Sequence, residues 1–438
     1  MMRWFWVCGA VVALASACGK VDSGGDGTGD GDGDGVDHRD GGGGGQPDAI
    51  GPVDDCEPGE PIACDGSELR VCNAAGDGEE RVTCGLRCDP DGLVCEDIID
   101  PSNGFAALLD GAEDAPALVI DGGGTVFFDS DYNVDEDAGT GDFEGTVVPV
   151  TVVPVAGPAP DVVVVPVASL RVAAGSVLSL QGPRAVVFVS WGDVRIQGEL
   201  RSLAGRSEEV EEDCWGRPSG GVGANNDIPG PGGGSFASAG GSGGAVVGTS
   251  GAAGKAAGDL IGNLTLVPLR GGCPGGADGI GGAGIGGGAV QISSRTLITV
   301  PGAIGASGGG GCVSSGGGSG GAILLEAPAV TVGGGVYANG GSGGCGGFSC
   351  GEAGSLSTTP APGDDACADG SGAYGGDGAA VGVDATSGDD VTNTPGATDR
   401  AGGGGGGLGR IRINTLDGTI MGASTFSPDP SLGQVAGR

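Results

Sequence analysis

The sequence predicts a mainly β chain, a right-handed parallel β-helix over residues 161–425 carrying long glycine-rich inserts. Three observations predict it. Of 438 residues, 105 are glycine and only 4% are aromatic, against an average glycine usage of about 7%. The 38% apolar residues gather into short Val/Ile/Leu-rich runs of strand length. Those runs recur as a unit, and repeated short strands turned by glycine are the signature of stacked coils. There is no strict Gly-X-Y period, and 25 prolines are too few for a collagen triple helix. Lys and Arg number 19 against 56 Asp and Glu, a net charge of −37, so a nucleic-acid partner is excluded on electrostatic grounds.

Residues 1–17 read as a signal peptide: Arg3, an apolar run from Trp4 to Leu14, then small residues before Cys18. That order is a basic n-region, an h-region too short to span a bilayer, and a cleavage site. Ala15-Ser16-Ala17-Cys18 resembles a bacterial lipobox, with Leu14 one position further upstream than the usual leucine. The resemblance implies that Cys18 becomes a lipidated N-terminus, giving a membrane partner through the lipid and a place in the bacterial cell envelope, at the outer membrane or cell surface. Residues 18–55 are nearly all Gly and Asp. They have too little apolar surface to offset their ordering entropy and are expected to form a disordered tether. Asp30, Asp32 and Asp34 start like a calcium loop, but Gly41 stands where a bidentate acid is needed. His38, the one histidine, falls in this spacer.

Over residues 56–98 the composition changes to a small cysteine-rich module with Cys56, Cys64, Cys72, Cys84, Cys88 and Cys95. So short a segment cannot build an adequate core, and an exported location permits disulfides instead. Their spacing leaves the pairing open. There is no Cys-x-x-Cys and no nearby histidine for zinc. Residues 105–160 are expected as capping strands and a loop. Within them Asp129, Asp131, Asn133, Asp135 and Asp137 alternate, a weak calcium candidate and the one cofactor suggested. Val134 and Thr140 stand where a calcium loop needs glycine and an acid, so a polar capping loop is the preferred reading.

Within 161–425 the units align with one another. Ala185–Ser190 leads to Val194–Leu200, Ala289–Ser293 leads to Leu297–Ile304, and Ala322–Glu326 leads to Val330–Val336. Leu170–Val172 with Val177–Leu180 looks like an earlier coil, and Arg410–Ile413 like a partial later one. The inserts 203–288, 307–321 and 339–409 all fall between the third strand of one coil and the first of the next. In-register coils would therefore send every insert from one edge, as a crest. Cys214, Cys273, Cys312, Cys345, Cys350 and Cys367 all sit in inserts, and disulfides among them would order otherwise floppy chain. Residues 426–438 are expected as a C-terminal tail. In composition and rhythm, residues 160–415 resemble the glycine-rich regions of surface lipoproteins of myxobacteria and related bacteria. The glycine-rich domain of certain animal receptor kinases is a more distant likeness.

Catalysis finds little support in the residues. Ser242, Ser319 and Ser342 each sit in Gly-Gly-Ser-Gly-Gly, a product of composition without the histidine a nucleophile elbow requires. A polygalacturonase-like site would need Gly-His-Gly, which this chain lacks. It offers the pairs Asp364-Asp365 and Asp389-Asp390, Arg410-Ile-Arg412, and scattered Asp193, Glu199 and Glu326. The expected function is a non-catalytic, surface-anchored lipoprotein with a structural, adhesive or matrix-binding role, its partner an envelope or extracellular polysaccharide or protein. The alternative is a polysaccharide-binding or polysaccharide-degrading β-helix. A flat ice- or mineral-binding face would need regular threonine ladders, and only scattered Thr265, Thr299 and Thr331 are seen.

Overall fold

The computed structural model describes residues 56–155, 161–204, 214, 228–248, 252–347, 349–363, 373–394 and 399–438. Segments 1–17 and 18–55 lie outside them, as do Cys18, His38, Asp364, Asp365 and Cys367. From residue 118 onward the protein is mainly β, and the chain circulates among three sheets built largely from parallel pairs.

Sheet A runs, in spatial order, through Thr151–Val153, Val162–Val167, Ala185–Ser190, Ala289–Ser294, Ala322–Glu326, Arg410–Thr415 and Ser431–Gln434. Sheet B holds Leu118–Ile120, Leu170–Val172, Val194–Ile196, Leu297–Val300 and Ala329–Val332. Sheet C holds Thr125–Asp129, Val177–Gln181, Glu199–Ser202, Ala303–Gly305, Gly335–Tyr337 and Thr425–Ser427. Each full circuit visits A, then B, then C. Every long insert leaves from C and returns to A, so the expectation of a common edge holds.

Alternation along each strand builds the interior. In sheet A the pairs Val165↔Phe188, Phe188↔Ile292, Ile292↔Leu325 and Leu325↔Ile413 stack like on like. Sheet B stacks Leu118, Leu170, Val194, Ile298 and Val330; sheet C stacks Leu178, Leu200, Ile304 and Val336. All belong to one buried cluster, and shifting any strand by one residue would turn its apolar set outward. At the B-to-C corner, Gly198, Gly302 and Gly334 succeed one another. A Cβ on Gly302 would collide with the Gly198 carbonyl, and one on Gly334 with that of Gly302. Close backbone approach sets the glycine there.

Two expected boundaries are corrected. Residues 105–160 do more than cap, because Leu118–Ile120 and Thr125–Asp129 already pair in parallel with the next strands of sheets B and C. Only the antiparallel strands within 134–149 and the strand Thr151–Val153 stand apart from the parallel pattern. The segment 426–438 is not a tail. Ser431–Gln434 extends sheet A, and Ala436–Gly437 pairs antiparallel with Ile99–Asp100 beside the cysteine module. Apolar periodicity was too weak over these short strands to mark them.

The cysteine module pairs Cys56–Cys72, Cys64–Cys88 and Cys84–Cys95 around the strands Pro61–Asp65, Glu68–Cys72 and Glu79–Thr83. Beyond it, the helix Ala106–Asp110 packs Phe105 and Leu109 onto the outer side of sheet A, in a second apolar cluster with Val164, Val187, Leu324 and Val435.

That outer side also buries a carboxylate. Glu326 is 2% exposed. Its Oε1 accepts from Ser102 Oγ (2.6 Å) and Asn414 Nδ2 (2.9 Å). Its Oε2 accepts from Ser102 N (3.1 Å), Gln291 Nε2 (2.9 Å) and Ser293 Oγ (2.9 Å). Asn103 Nδ2 in turn donates to Gln291 Oε1 and to the Leu266 carbonyl. One acid thus ties the 102–103 turn and three strands of sheet A together, and its donors would be orphaned without it. Glu326→Ala is expected to lower unfolding free energy on the order of 3 kcal/mol and to hasten proteolysis near residues 99–110. Denaturant melts and limited proteolysis check both.

Candidate functional site

The inserts meet along the shared edge as a slab in which backbone bonds to backbone. Gly316, Gly317 and Gly318 donate to Gly276, Gly404 and Gly309, three different neighbours in three successive residues. In the 402–407 run the pattern closes. Gly403 and Gly406 donate to Gly344 and Gly341, Gly404 and Gly407 donate to Pro231 and Gly234, and Gly405 donates to Thr386. Each partner recurs after three residues, the period of a polyproline-II-type strand rather than the two of a β-strand. Such a strand has no internal hydrogen bonds, so its N–H and C=O groups need outside partners. Here neighbouring inserts provide them, and Gly402–Gly407 are buried.

Close packing makes the composition obligatory. A Cβ on Gly317 would fall inside contact distance of the Gly341 carbonyl; on Gly405 it would strike Asp377, and on Gly406 the Gly318 carbonyl. Disulfides staple the layer. Cys214–Cys273 closes the first insert, and Cys312–Cys350 joins the second to the third. Cys345 is disulfide-bonded as well. Around this slab, the insert turns expose Leu260, Leu264, Ile280, Tyr374 and Val383.

A second surface lies on the outer side of sheet B. The in-register row is Val119, Arg171, Arg195, Thr299 and Thr331, with Met421 bridged beyond it. Arg171 and Arg195 are both exposed, and neither has an ion pair or hydrogen bond among the described residues. Most other arginines are engaged: Arg70 with Glu79, Arg81 with Glu68, Arg87 with Glu96, Arg184 with Glu136, Arg201 with Glu199, Arg438 with Asp110. Like charges on adjacent strands are unfavourable, so the Arg171–Arg195 pair is not explained by stability. At the neighbouring corner the Arg295 guanidinium lies 4.0 Å over the Trp191 ring. Asp193, on the same flank, accepts from Thr296 Oγ1 at 2.6 Å.

The residues singled out in the sequence are mostly structural. Asp129 Oδ1 accepts from the amides of Asp131 and Tyr132, Asn133 Oδ1 from that of Asp129, and Asp135 Oδ1 from that of Ala138. These are turn-forming bonds. Asp137, like the others, joins no convergent acid group, for among the described residues no three His, Cys, Asp or Glu side chains cluster around a metal position. Ser242 bonds Ser387, Ser319 bonds the amide of Cys273, and Ser342 accepts the amide of Glu352. Asp390 accepts the amide of Ala245. Asp193, Glu199 and Glu326 belong to the B, C and A sides respectively, and Glu326 is covered by the 102–103 turn, so the three do not face one another. Thr299 and Thr331 are neighbours, but the row they share begins with Val119, Arg171 and Arg195. Sequence reading missed that row. Leu-Arg-Val at 170–172 and Val-Arg-Ile at 194–196 carried the signal once aligned as equivalent strands.

Gly317→Ala is expected to destabilise the protein by about 1–3 kcal/mol through overpacking and to speed amide exchange across 309–318 and 402–407. Gly124→Ala, where no atom lies within 4 Å of the added Cβ, should leave both unchanged. Thermal melts and hydrogen–deuterium exchange distinguish the pair.

No family model, curated protein or solved structure matches this chain.

Proposed function

We propose that this chain is a surface-anchored bacterial lipoprotein without catalytic activity, whose three sheets form a right-handed parallel β-helix that displays the glycine slab in a structural, adhesive or matrix-binding role. The slab is the observation that carries this reading. Its described glycine runs bond one another through their backbones, they pack too closely for side chains, and disulfides close and join the inserts. Such a layer resists unfolding and proteolysis without a ligand, as a display scaffold outside the cell requires. Disulfides at Cys56–Cys72, Cys64–Cys88, Cys84–Cys95, Cys214–Cys273 and Cys312–Cys350 favour an oxidising compartment. The lipobox-like segment ending at Cys18 supports a lipid anchor, with the Gly/Asp tether as spacer. Expressed in a bacterial host, the wild-type chain is expected in the membrane fraction and Cys18→Ser in the soluble exported fraction. A Cys18→Ser variant that stays membrane-bound would sink the anchor.

The polysaccharide-binding alternative has its own support in the Arg171–Arg195 pair. Two guanidinium groups without ion-pair partners among the described residues, carried on adjacent strands whose backbones lie about 4.8 Å apart, suit the repeated carboxylates of an acidic glycan. Polygalacturonate should retain the full chain at low salt and dextran should not. An Arg171→Ser/Arg195→Ser double variant should lose most of that retention with its thermal midpoint unchanged or raised. Equal retention of wild type and variant would remove the case for this surface, and turnover of the glycan would restore the enzymatic alternative.

A further inference from the structure

The outer side of sheet A carries a column of small residues. Val162 pairs with Ala185, Ala289 with Ala322, and Ala322 with Arg410. Over the alanines the first insert lays down Phe236, Leu266 and Leu269, which are buried in the same cluster as Ala289 and Ala322. At the next strand, Arg410–Thr415, arginine takes the alanine position. A groove of about 320 Å³ opens there, lined by Ala237, Leu264, Leu408, Arg410, Pro428 and Asp429 among others.

Arg410 is half-buried in the groove wall and poorly satisfied. Its Nη2 makes one long bond of 3.3 Å to the Gly262 carbonyl, and its Nε is buried without a partner. No carboxylate pairs with it among the described residues. Arg412, two residues on along the same strand, shows the contrast. Its Nε donates to Asn414 Oδ1 at 2.7 Å and its Nη1 to the Leu432 carbonyl at 2.9 Å. Burial pulls the pKa of Arg410 below the ordinary arginine value, yet a guanidinium keeps its proton at neutral pH. Among the described residues Arg410 is therefore a half-buried cation with no ion-pair partner, a less favourable arrangement than one in which a counter-charge is bound.

We infer that this groove binds a small monocarboxylate with an apolar body. The carboxylate neutralises Arg410 and accepts from its outer guanidinium nitrogens, while the apolar part lies against Leu264, Leu408 and Pro428. The volume is at the small end of the range for ligand sites, roughly 300–1,000 Å³. Asp429, exposed at the rim, opposes a second negative group in this groove. That argues for one carboxylate over a polyanion. The inference is independent of the envelope reading and of the Arg171–Arg195 row.

Ligand-observed NMR of the full chain with hexanoate tests it, with hexanol and hexylamine as the matched neutral and cationic probes. Hexanoate is expected to bind saturably and at least tenfold more tightly than either control. Arg410→Met should weaken it at least tenfold without lowering the thermal midpoint, because it replaces an uncompensated charge with an apolar chain. Leu264→Asp, at a position 64% exposed where folding is not at stake, should weaken it similarly by placing a like charge on the wall. Absence of saturable hexanoate binding overturns the inference, as does undiminished binding to both variants. Equal affinity for hexanol would assign any binding to the apolar wall alone and overturn it too.

Discussion

The hydrogen-bonding demand of bare backbone is the constraint on which the rest of this structure depends. The glycine runs of the inserts have no side chains to bury, so the hydrophobic effect cannot order them. They become ordered only if their amides and carbonyls find partners on other inserts, at distances that any side chain would prevent. That in turn requires several inserts to leave the fold side by side. The A, B, C order of the sheets supplies this, because each insert occupies the same step from C to A. Register in the core and order in the slab are therefore one condition seen at two places.

The two layers are stabilised by different physics. Inside the sheets, columns such as Phe188, Ile292, Leu325 and Ile413 exclude water by stacking like on like along the axis of the repeats. In the slab, Gly403–Gly407 contribute backbone bonds and close van der Waals contact but little apolar area. The outer side of sheet A joins them through a third arrangement, with Phe236 and Leu266 from the first insert sharing a cluster with Leu109 and Leu324. Glu326 sits at this junction, where its five hydrogen bonds replace hydration for a buried charge.

Strand positions were legible wherever Val, Ile and Leu form a short unbroken run, as at 185–190 and 322–326, or alternate with polar residues, as at 194–196. Legibility failed where strands are short or irregular. Leu118–Ile120 lies in a region of turns and acids, and Ser431–Gln434 has no apolar alternation, so pairing with an existing sheet edge decides both. The alternating carboxylates near Asp129 looked like ligands because spacing was visible and orientation was not; their oxygens turn back to local amides. Conversely, Arg171 and Arg195 stand 24 positions apart by their own numbering, and only strand register makes them neighbours.

Cysteine count, glycine excess and repeat rhythm are properties of the sequence alone. By themselves they determined a mainly β chain, a disulfide-bonded module, and inserts leaving one edge, because each follows from local composition and period. Pairings such as Cys64–Cys88, the threefold contacts of the glycine runs, and the surroundings of Arg410 and Glu326 were decided only in the tertiary structure. These depend on which distant segments come to lie side by side, and a glycine carries no side chain to announce its neighbour.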